Sequence, residues 1–214
     1  MSILAKSKAH TRYKLADGTQ VPGSTTITGI LAKPALIPWA NRLGLQGIDS
    51  TKYRDEAGII GTLAHYLIQC HIQKTEPDLS GYAPDQIDAA ENAVISYYEW
   101  EGQRNVTPIL CEVPLVSEVY RYGGTIDLYA EIDGQHWLVD FKTGKALYPE
   151  MRYQVAAYEQ LLIEHDYPVD GVRILRIGRD ENEGFDDAVL RNRDDDWAIF
   201  YHCLRIYELR RGSK

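Results

Sequence analysis

The sequence predicts a mixed α/β fold with a helical N-terminal portion, and two observations support this. Up to about residue 105 the apolar residues recur at three- and four-residue spacing, which is typical of amphipathic helices. From Pro108 onward, short β-rich segments are separated by turn signals, and helical spacing returns between and after them. We therefore expect a mixed central sheet flanked by helices.

The helical portion contains four predicted helices. A turn ending at Gly23 is followed by hydroxyl residues that are candidate N-caps of the first helix. Pro38 is placed to open a second helix over residues 38–44, because proline is tolerated in the first helical turn. Amphipathic spacing predicts two longer helices, over residues 60–72 and 84–100.

The second half is predicted to contain four strands and two helices. Asp133 and Gly134 form a two-residue turn signal, so the second and third strands are expected to pair as a hairpin. The predicted elements are strands at residues 109–116, 122–132 and 136–142, a helix at 149–162, a strand at 172–177 and a helix at 194–209.

The composition fits one domain over residues 1–214, with 1–105 as its helical part and 106–214 as its α/β catalytic core. The chain is 44% hydrophobic and 25% charged, and no linker or low-complexity run divides it. Its formal net charge of -8 argues against a protein that coats nucleic acid through a bulk positive field. The first ten residues lack the apolar core of a signal peptide, and no stretch is apolar enough to span a membrane. We expect no membrane association.

Two acids stand at matched positions on the predicted hairpin. Asp127 lies on the second strand and Asp140 near the end of the third, so the hairpin brings the two carboxylates together. Adjacent carboxylates repel each other and are costly without a cation between them. Oxygen ligands with open positions suit Mg²⁺ or Mn²⁺. The spacing therefore predicts a divalent-metal site, for which the backbone carbonyl of Phe141 is a further candidate ligand.

Lys142 is expected beside this site. Residues i and i+2 of a strand share a face, so Lys142 follows Asp140 on the same side. Its ammonium can position a water molecule and offset the charge that builds on a phosphate. The alternative is that Asp-x-Lys is an ordinary solvated ion pair on an exposed strand face.

Four short motifs follow one another between Gly61 and Tyr158. They are Gly61-Thr62-Leu63-Ala64-His65, Gly123-Gly124-Thr125-Ile126-Asp127, Asp140-Phe141-Lys142-Thr143 and Gln154-Val155-Ala156-Ala157-Tyr158. Together they resemble the RecB-like branch of the PD-(D/E)XK nucleases, to which phage exonucleases and the mitochondrial genome maintenance exonuclease are similar. The resemblance spans nearly half the chain and implies a restriction-endonuclease-like core.

The resemblance also implies roles for individual residues. The implied metal ligands are His65, Asp127, Asp140 and the Phe141 carbonyl, with Lys142 as the catalytic lysine. Gln154 and Tyr158 lie one helical turn apart and would orient Lys142 or the scissile phosphate. Glu112 would assist a second metal, or alternatively would pair with Arg121 across the hairpin. Without the motif order, a hydrogen-bonded structural histidine and an ordinary helix face are the alternatives.

Basic and hydroxyl side chains near the predicted site are candidate DNA contacts. Lys145 and Arg152 flank the catalytic strand and the helix that follows it, and Arg121 lies on the hairpin. Ser24 and Thr25 are candidates for a phosphate-binding helix start. A plain N-cap is the alternative for this hydroxyl segment.

The three cysteines are Cys70, Cys111 and Cys203, which are widely separated and form no CxxC pair. Neither a disulfide framework nor a zinc ribbon is predicted, and a reducing, cytoplasmic compartment fits best. Some members of the resembling branch hold an iron–sulfur cluster through four cysteines. This chain has three, and their spacing does not fit, so we expect no such cluster here.

We expect a Mg²⁺- or Mn²⁺-dependent DNA exonuclease that hydrolyses phosphodiester bonds from single-stranded or frayed ends. The helical N-terminal part would form an arch or wall that restricts access to ends. A structure-selective endonuclease and a catalytically inactive nucleic-acid-binding module are the alternatives. The setting would be DNA repair, recombination or phage genome processing in a bacterial cell or phage-infected host. Polarity, preference for DNA over RNA, the number of metals, the oligomeric state and any protein partner in recombination or replication stay open.

Overall fold

The computed structural model describes residues 12–212. The prediction that the first ten residues are not a signal peptide concerns residues outside this range. The described chain forms a five-stranded sheet and six helices, which confirms the predicted mixed α/β class. The helices are α1 (Ser24–Thr28), α2 (Leu36–Leu45), α3 (Ser50–Gln73), α4 (Pro84–Glu101), α5 (Pro149–Glu164) and α6 (Arg193–Gly212). The strands are β1 (Val106–Ser117), β2 (Tyr122–Ile132), β3 (Gln135–Thr143), β4 (Gly171–Ile177) and β5 (Phe185–Val189).

The sheet is mixed and has the strand order β1-β2-β3-β4-β5. The pairs β1–β2, β2–β3 and β4–β5 are antiparallel, whereas β3 and β4 are parallel and are joined through α5. Asp133 and Gly134 both have positive φ, 52° and 81°, and close the β2–β3 hairpin as their turn signal predicted. This topology places the candidate acids of β2 and β3 on neighbouring strands.

Helices cover both faces of the sheet. On one face lie α1, α5 and α6, with Ile27 and Phe200 in the core that they share with the strands. On the other face lie α3 and α4, which contribute Leu63 and Val94 to a second core. Because β2 is covered on both sides, nearly every position along it is buried.

The helix starts follow local chemistry. Pro84 and Pro149 each occupy the first turn of a helix, where the missing N–H costs nothing. The carboxylate of Asp49 accepts hydrogen bonds from the N–H groups of Thr51 and Lys52 and caps α3. No helix among the described residues combines the length and apolar character that a membrane crossing requires.

Pro38 does not open α2, which begins at Leu36 and has Pro38 within its first turn. Three further elements differ more from prediction. α3 begins ten residues before the predicted residue 60. Its first turns have no buried residue and no helical spacing of apolar side chains, so the sequence pattern did not reveal them. α1 has only five residues, and Gly23 rather than a hydroxyl residue is its N-cap. β5 was not predicted, because Asp186 and Asp187 interrupt the apolar pattern of this edge strand.

An arm, defined as residues 32–60, connects the two helical layers. It contains α2, which has no buried residue, and the mostly exposed first half of α3. On one side Lys33 pairs with Glu150 at the start of α5, at 2.8 Å. On the other side Gly61 lies against Thr143 at the end of β3. The arm therefore passes from one face of the sheet to the other beside the C-terminal end of β3.

Candidate metal centre

The candidate site lies where β2 and β3 separate. Their backbone pairing runs from the hairpin turn to Leu128 and Val139. One residue further, the carboxylate Oδ2 of Asp127 accepts a hydrogen bond from the N–H of Phe141, at 2.9 Å. This side-chain hydrogen bond thus replaces the next backbone hydrogen bond between the two strands. This fixes the Asp127 carboxylate next to the backbone of Asp140 and Phe141.

A histidine and a second acid complete a compact group around Asp127. His65 on α3 places Nδ1 3.2 Å from Oε1 of Glu112 and 3.5 Å from Oδ1 of Asp127, and Nε2 3.1 Å from the Phe141 carbonyl oxygen. Potential ligand atoms of His65, Glu112 and Asp127 all lie within 4.8 Å of one another. Glu112 has a φ of 55° in the middle of β1. This departure from extended backbone accompanies its approach to His65.

The charges of this group favour a cation at its centre. Burial lowers the pKa of His65, but the Asp127 and Glu112 carboxylates outweigh burial and raise that pKa to about 9. Without a metal, the imidazole therefore carries a proton near neutral pH and supplies the positive charge that the acids require.

Asp140 is the most deeply buried acid of the site. It is 1% exposed, and its Oδ2 lies 2.6 Å from the Lys142 Nζ. Neither oxygen of Asp140 has an aligned hydrogen bond from any residue in the described range. Burial raises the pKa of Asp140 to about 6, against the opposing charge of Lys142, and Asp127 adds to the rise.

Lys142 stays positively charged in this environment. Burial lowers its pKa, but the neighbouring Asp140 and Asp127 carboxylates give a net rise above the usual lysine value. The residues therefore fit a divalent cation: a buried carboxylate whose Oδ1 has no partner among the described residues lies beside carboxylate, carbonyl and imidazole donors. A site dominated by oxygen with a single imidazole suits Mg²⁺ or Mn²⁺.

Gln154 and Tyr158 face the same site from α5. The Gln154 Nε2 donates a hydrogen bond to the Tyr158 hydroxyl at 2.5 Å. Burial, followed by the charges of Asp140 and Asp127, raises the pKa of Tyr158 well above its usual value, despite hydrogen bonds to Ser24 and Gln154. The Tyr158 hydroxyl thus remains protonated beside the candidate acids.

Close packing accounts for two glycines of the motifs. A Cβ on Gly124 would lie 2.4 Å from the Tyr158 ring, and one on Gly61 would lie 2.7 Å from Oγ1 of Thr143. The glycine of each motif therefore makes room for the last residue of another motif. Sequence reasoning assigned no role to Thr143, although its place directly after Lys142 was a usable signal.

The predicted DNA contacts are spread over the molecule. Lys145 is exposed just beyond β3. Arg152 pairs with Asp196 of α6 at 3.0 Å, a partner that the sequence did not reveal. Ser24 is buried and hydrogen-bonds to Tyr158, whereas the side chain of Thr25 is exposed. Of this pair, only Thr25 therefore offers an exposed hydroxyl.

The alternative pairing of Glu112 with Arg121 is wrong. The β1–β2 register pairs Ser117 with Tyr122 and leaves Arg121 in the turn, at the far end of the hairpin from Glu112. Arg121 is exposed there with a φ of 58°. It lies six residues, or about 20 Å of extended strand, from Asp127.

The cysteines do not approach the site as a group. Cys70 and Cys203 are buried and Cys111 is half-buried, and the described chain contains no disulfide. The absence of an iron–sulfur cluster stays a prediction.

No protein-family model matches this chain, and no curated protein is significantly similar to it.

Proposed function

We propose that this protein is a Mg²⁺- or Mn²⁺-dependent DNA exonuclease of the RecB-like PD-(D/E)XK class, with a restriction-endonuclease-like core. The observation that carries the proposal is the Asp140 carboxylate, which is buried with Oδ2 2.6 Å from the Lys142 Nζ and with no partner for Oδ1 among the described residues. Lys142 offsets part of the cost of burying this charge, and the partnerless Oδ1 beside the acid Asp127 is suited to a second cation.

The metal ligands in this proposal are Asp127, Asp140, the Phe141 carbonyl and His65, with Glu112 as an additional acid. A divalent ion held by these residues would activate a water molecule as a nucleophile and offset negative charge on a phosphate. In the metal-free site, Glu112 and Asp127 both contact Nδ1 of His65 and hold its imidazole in place.

Lys142 has the role of the catalytic lysine. Its ammonium stays charged, is held by Asp140 and is half-buried, so it can orient the attacking water and stabilise charge on the phosphoryl oxygens. Gln154 and Tyr158 support this from α5. Because the Tyr158 hydroxyl stays protonated, it can donate a hydrogen bond to a phosphate or to a carboxylate of the site.

The arm supports action at DNA ends. It is held at one end by the pair of Lys33 with Glu150 of α5, and it ends next to Gly61, which lies against Thr143 at the end of β3; we infer that it spans the strand end that carries Lys142. A chain segment in this position restricts lateral entry of an internal stretch of DNA. A single strand with a free end can be threaded beneath it, which favours an exonuclease.

The test is digestion of end-labelled linear and covalently closed circular DNA, single-stranded and duplex, with Mg²⁺, Mn²⁺ or EDTA. We expect metal-dependent loss of linear single strands while circles are spared. Cleavage of circles would replace the exonuclease with a structure-selective endonuclease. Failure to cleave any substrate in either metal would leave a nucleic-acid-binding module as the better description.

A further inference from the structure

A polar groove borders the start of β2 at some distance from the candidate metal centre. It lies between residues 12–26 and the end of α6 and has a volume of about 500 Å³. Its walls include Arg12, Tyr13, Tyr207 and Arg211. A smaller hollow of about 220 Å³ shares Tyr207 and Arg211 and extends the groove to Arg121.

The groove concentrates positive charge in a chain whose net charge is -8. Arg12 and Arg121 form no ion pair among the described residues, although, after local hydrogen bonds, the charge of Arg121 helps to lower the pKa of the exposed Asp17. Arg211 lies over the ring of Tyr207 at 5.7 Å and donates a 3.5 Å hydrogen bond to its hydroxyl. Glu208 is the one acid in the described lining, and its carboxylate pairs with Arg205. These arginines are therefore available to an anion.

The groove is continuous with the strand that carries the candidate site. A Cβ on Gly123 would lie 2.2 Å from the Tyr13 ring, so the ring rests directly on β2. The Tyr13 hydroxyl is 3.0 Å from Oγ1 of Thr125. Thr125 precedes Asp127 by two residues, about 7 Å along the strand. A bound polymer can therefore extend from the groove to the metal centre.

We propose that this groove binds the phosphodiester backbone of single-stranded DNA, with Arg12, Arg121 and Arg211 as phosphate contacts and Tyr207 and Tyr13 as stacking surfaces for bases. Unpaired bases stack on aromatic rings, and arginines match phosphate geometry, so the pairing of these groups fits a single strand better than a duplex. The inference rests on the proposed nuclease function, for which it names the binding path of the substrate.

The test is fluorescence anisotropy of a labelled oligothymidylate in EDTA, where cleavage cannot occur. We compare the wild type with Arg12→Gln/Arg211→Gln. A matched control, Lys74→Gln/Arg191→Gln, removes two exposed charges at other places and gives the same net charge. We expect the groove variant to weaken binding about tenfold and to reduce the slope of log Kd against log salt by about 1.4, or about 0.7 for each arginine, with the control close to wild type.

Equal binding by the groove variant and the wild type would overturn the proposal, as would an equal loss in the control. Displacement of the oligonucleotide by polyglutamate at the same charge concentration would also overturn it, because the groove would then bind any polyanion. Hydrolysis of bis(4-nitrophenyl) phosphate by the wild type with Mn²⁺ tests the metal centre separately. If that reaction fails while the groove variant loses DNA binding, the result supports DNA binding by the groove and contradicts the proposed nuclease function.

Discussion

At the scale of single residues, the proposed divalent metal would compete with a proton on His65 for the same two carboxylates. The imidazole contacts Glu112 and Asp127, and together these acids raise its pKa to about 9 against the effect of burial. A histidine must be neutral to bind a metal, so this proton has to leave when the metal enters. In the metal-free protein the protonated imidazole therefore supplies the positive charge that a bound metal would supply.

The stability of the metal-free protein should depend on pH through His65. Its pKa is raised on folding from 6.5 to about 9, so its contribution is complete below pH 6.5 and disappears as the pH rises through 9. We expect the free energy of unfolding in EDTA to fall by up to about 3 kcal/mol across this window. Urea unfolding of the wild type and of His65→Gln should show the fall in the wild type alone.

His136→Gln is the control, since this partly exposed histidine lies on β3 away from the site. Parallel pH profiles for the wild type and His65→Gln would show that another group titrates. The affinity for Mg²⁺ should rise over the same pH window in the wild type, because fewer protons remain to be displaced.

Lys142→Ala should separate catalysis from metal binding. The ammonium is not a metal ligand, so titration calorimetry should give a metal affinity close to that of the wild type. The turnover number should fall about 100-fold to 10,000-fold, because the water and the developing phosphate charge lose their cation. Lys145→Ala should act mainly on KM, since Lys145 is exposed beyond the strand. Loss of metal binding in Lys142→Ala would contradict its assignment.

Spacing alone predicted part of this residue-scale arrangement. Asp127 and Asp140 were expected to converge because they lie on the two strands of one hairpin, and Lys142 because it follows Asp140 by two positions. The contact of Glu112 with His65 occurs where Glu112 has a positive φ in the middle of a strand, which residue type did not signal. The Arg152 pair with Asp196 depends on how α6 packs on α5, a long-range contact that no local pattern contains.

At the scale of elements, α3 is positioned against β3 by a glycine. Gly61 leaves no room for a Cβ because Oγ1 of Thr143 would be 2.7 Å away, while Gly58 on the same helix has open space at this position. The same helix carries His65 one turn further on. The distance between α3 and β3 therefore sets the position of His65 relative to the Phe141 carbonyl.

Gly58→Ala and Gly61→Ala should have opposite effects on stability. Gly58→Ala should raise the free energy of unfolding by about 0.5–1 kcal/mol, because alanine is the better helix former. Gly61→Ala should lower it by about 1–3 kcal/mol through overpacking. Adding Thr143→Ala to Gly61→Ala should recover much of the loss. Denaturant unfolding measures all three, and a stabilising Gly61→Ala would contradict the tight contact.

The element boundaries show what sequence patterns capture. β2, β3 and α5 were predicted within two residues of their observed ends, because burial gives them a strong apolar period. The early start of α3 and the edge strand β5 were missed because exposed turns and acidic edge positions carry little such signal.

At the scale of the whole molecule, the arm links the two helical layers across the candidate site. Its one ion pair to α5 joins Lys33 and Glu150, which are partly exposed, so this pair contributes about 0–1 kcal/mol to stability. Its importance would lie in keeping the arm over a threaded strand. Opening the arm should affect release of the substrate more than folding.

Charge reversal at this pair should lower processivity. In Lys33→Glu, the new carboxylate is repelled by Glu150, so this end of the arm is no longer held. More DNA should therefore dissociate before digestion is complete. The matched double variant Lys33→Glu/Glu150→Lys should restore the wild-type value, because the pair is rebuilt with opposite polarity. Digestion of a long labelled strand in the presence of excess unlabelled DNA measures this. Equal processivity in the single variant and the wild type would mean that the arm does not retain the substrate.

The most direct test of the metal-dependent nuclease assignment is cleavage of a linear single strand by the wild type and by Asp140→Asn with Mn²⁺. Asparagine keeps the shape of the buried side chain and removes its charge. We predict cleavage by the wild type that EDTA abolishes, and a rate in Asp140→Asn lower by about 1,000-fold, or about 4 kcal/mol of barrier, with the fold retained in circular dichroism. Equal cleavage by the two proteins, or none by the wild type in either metal, would contradict the assignment.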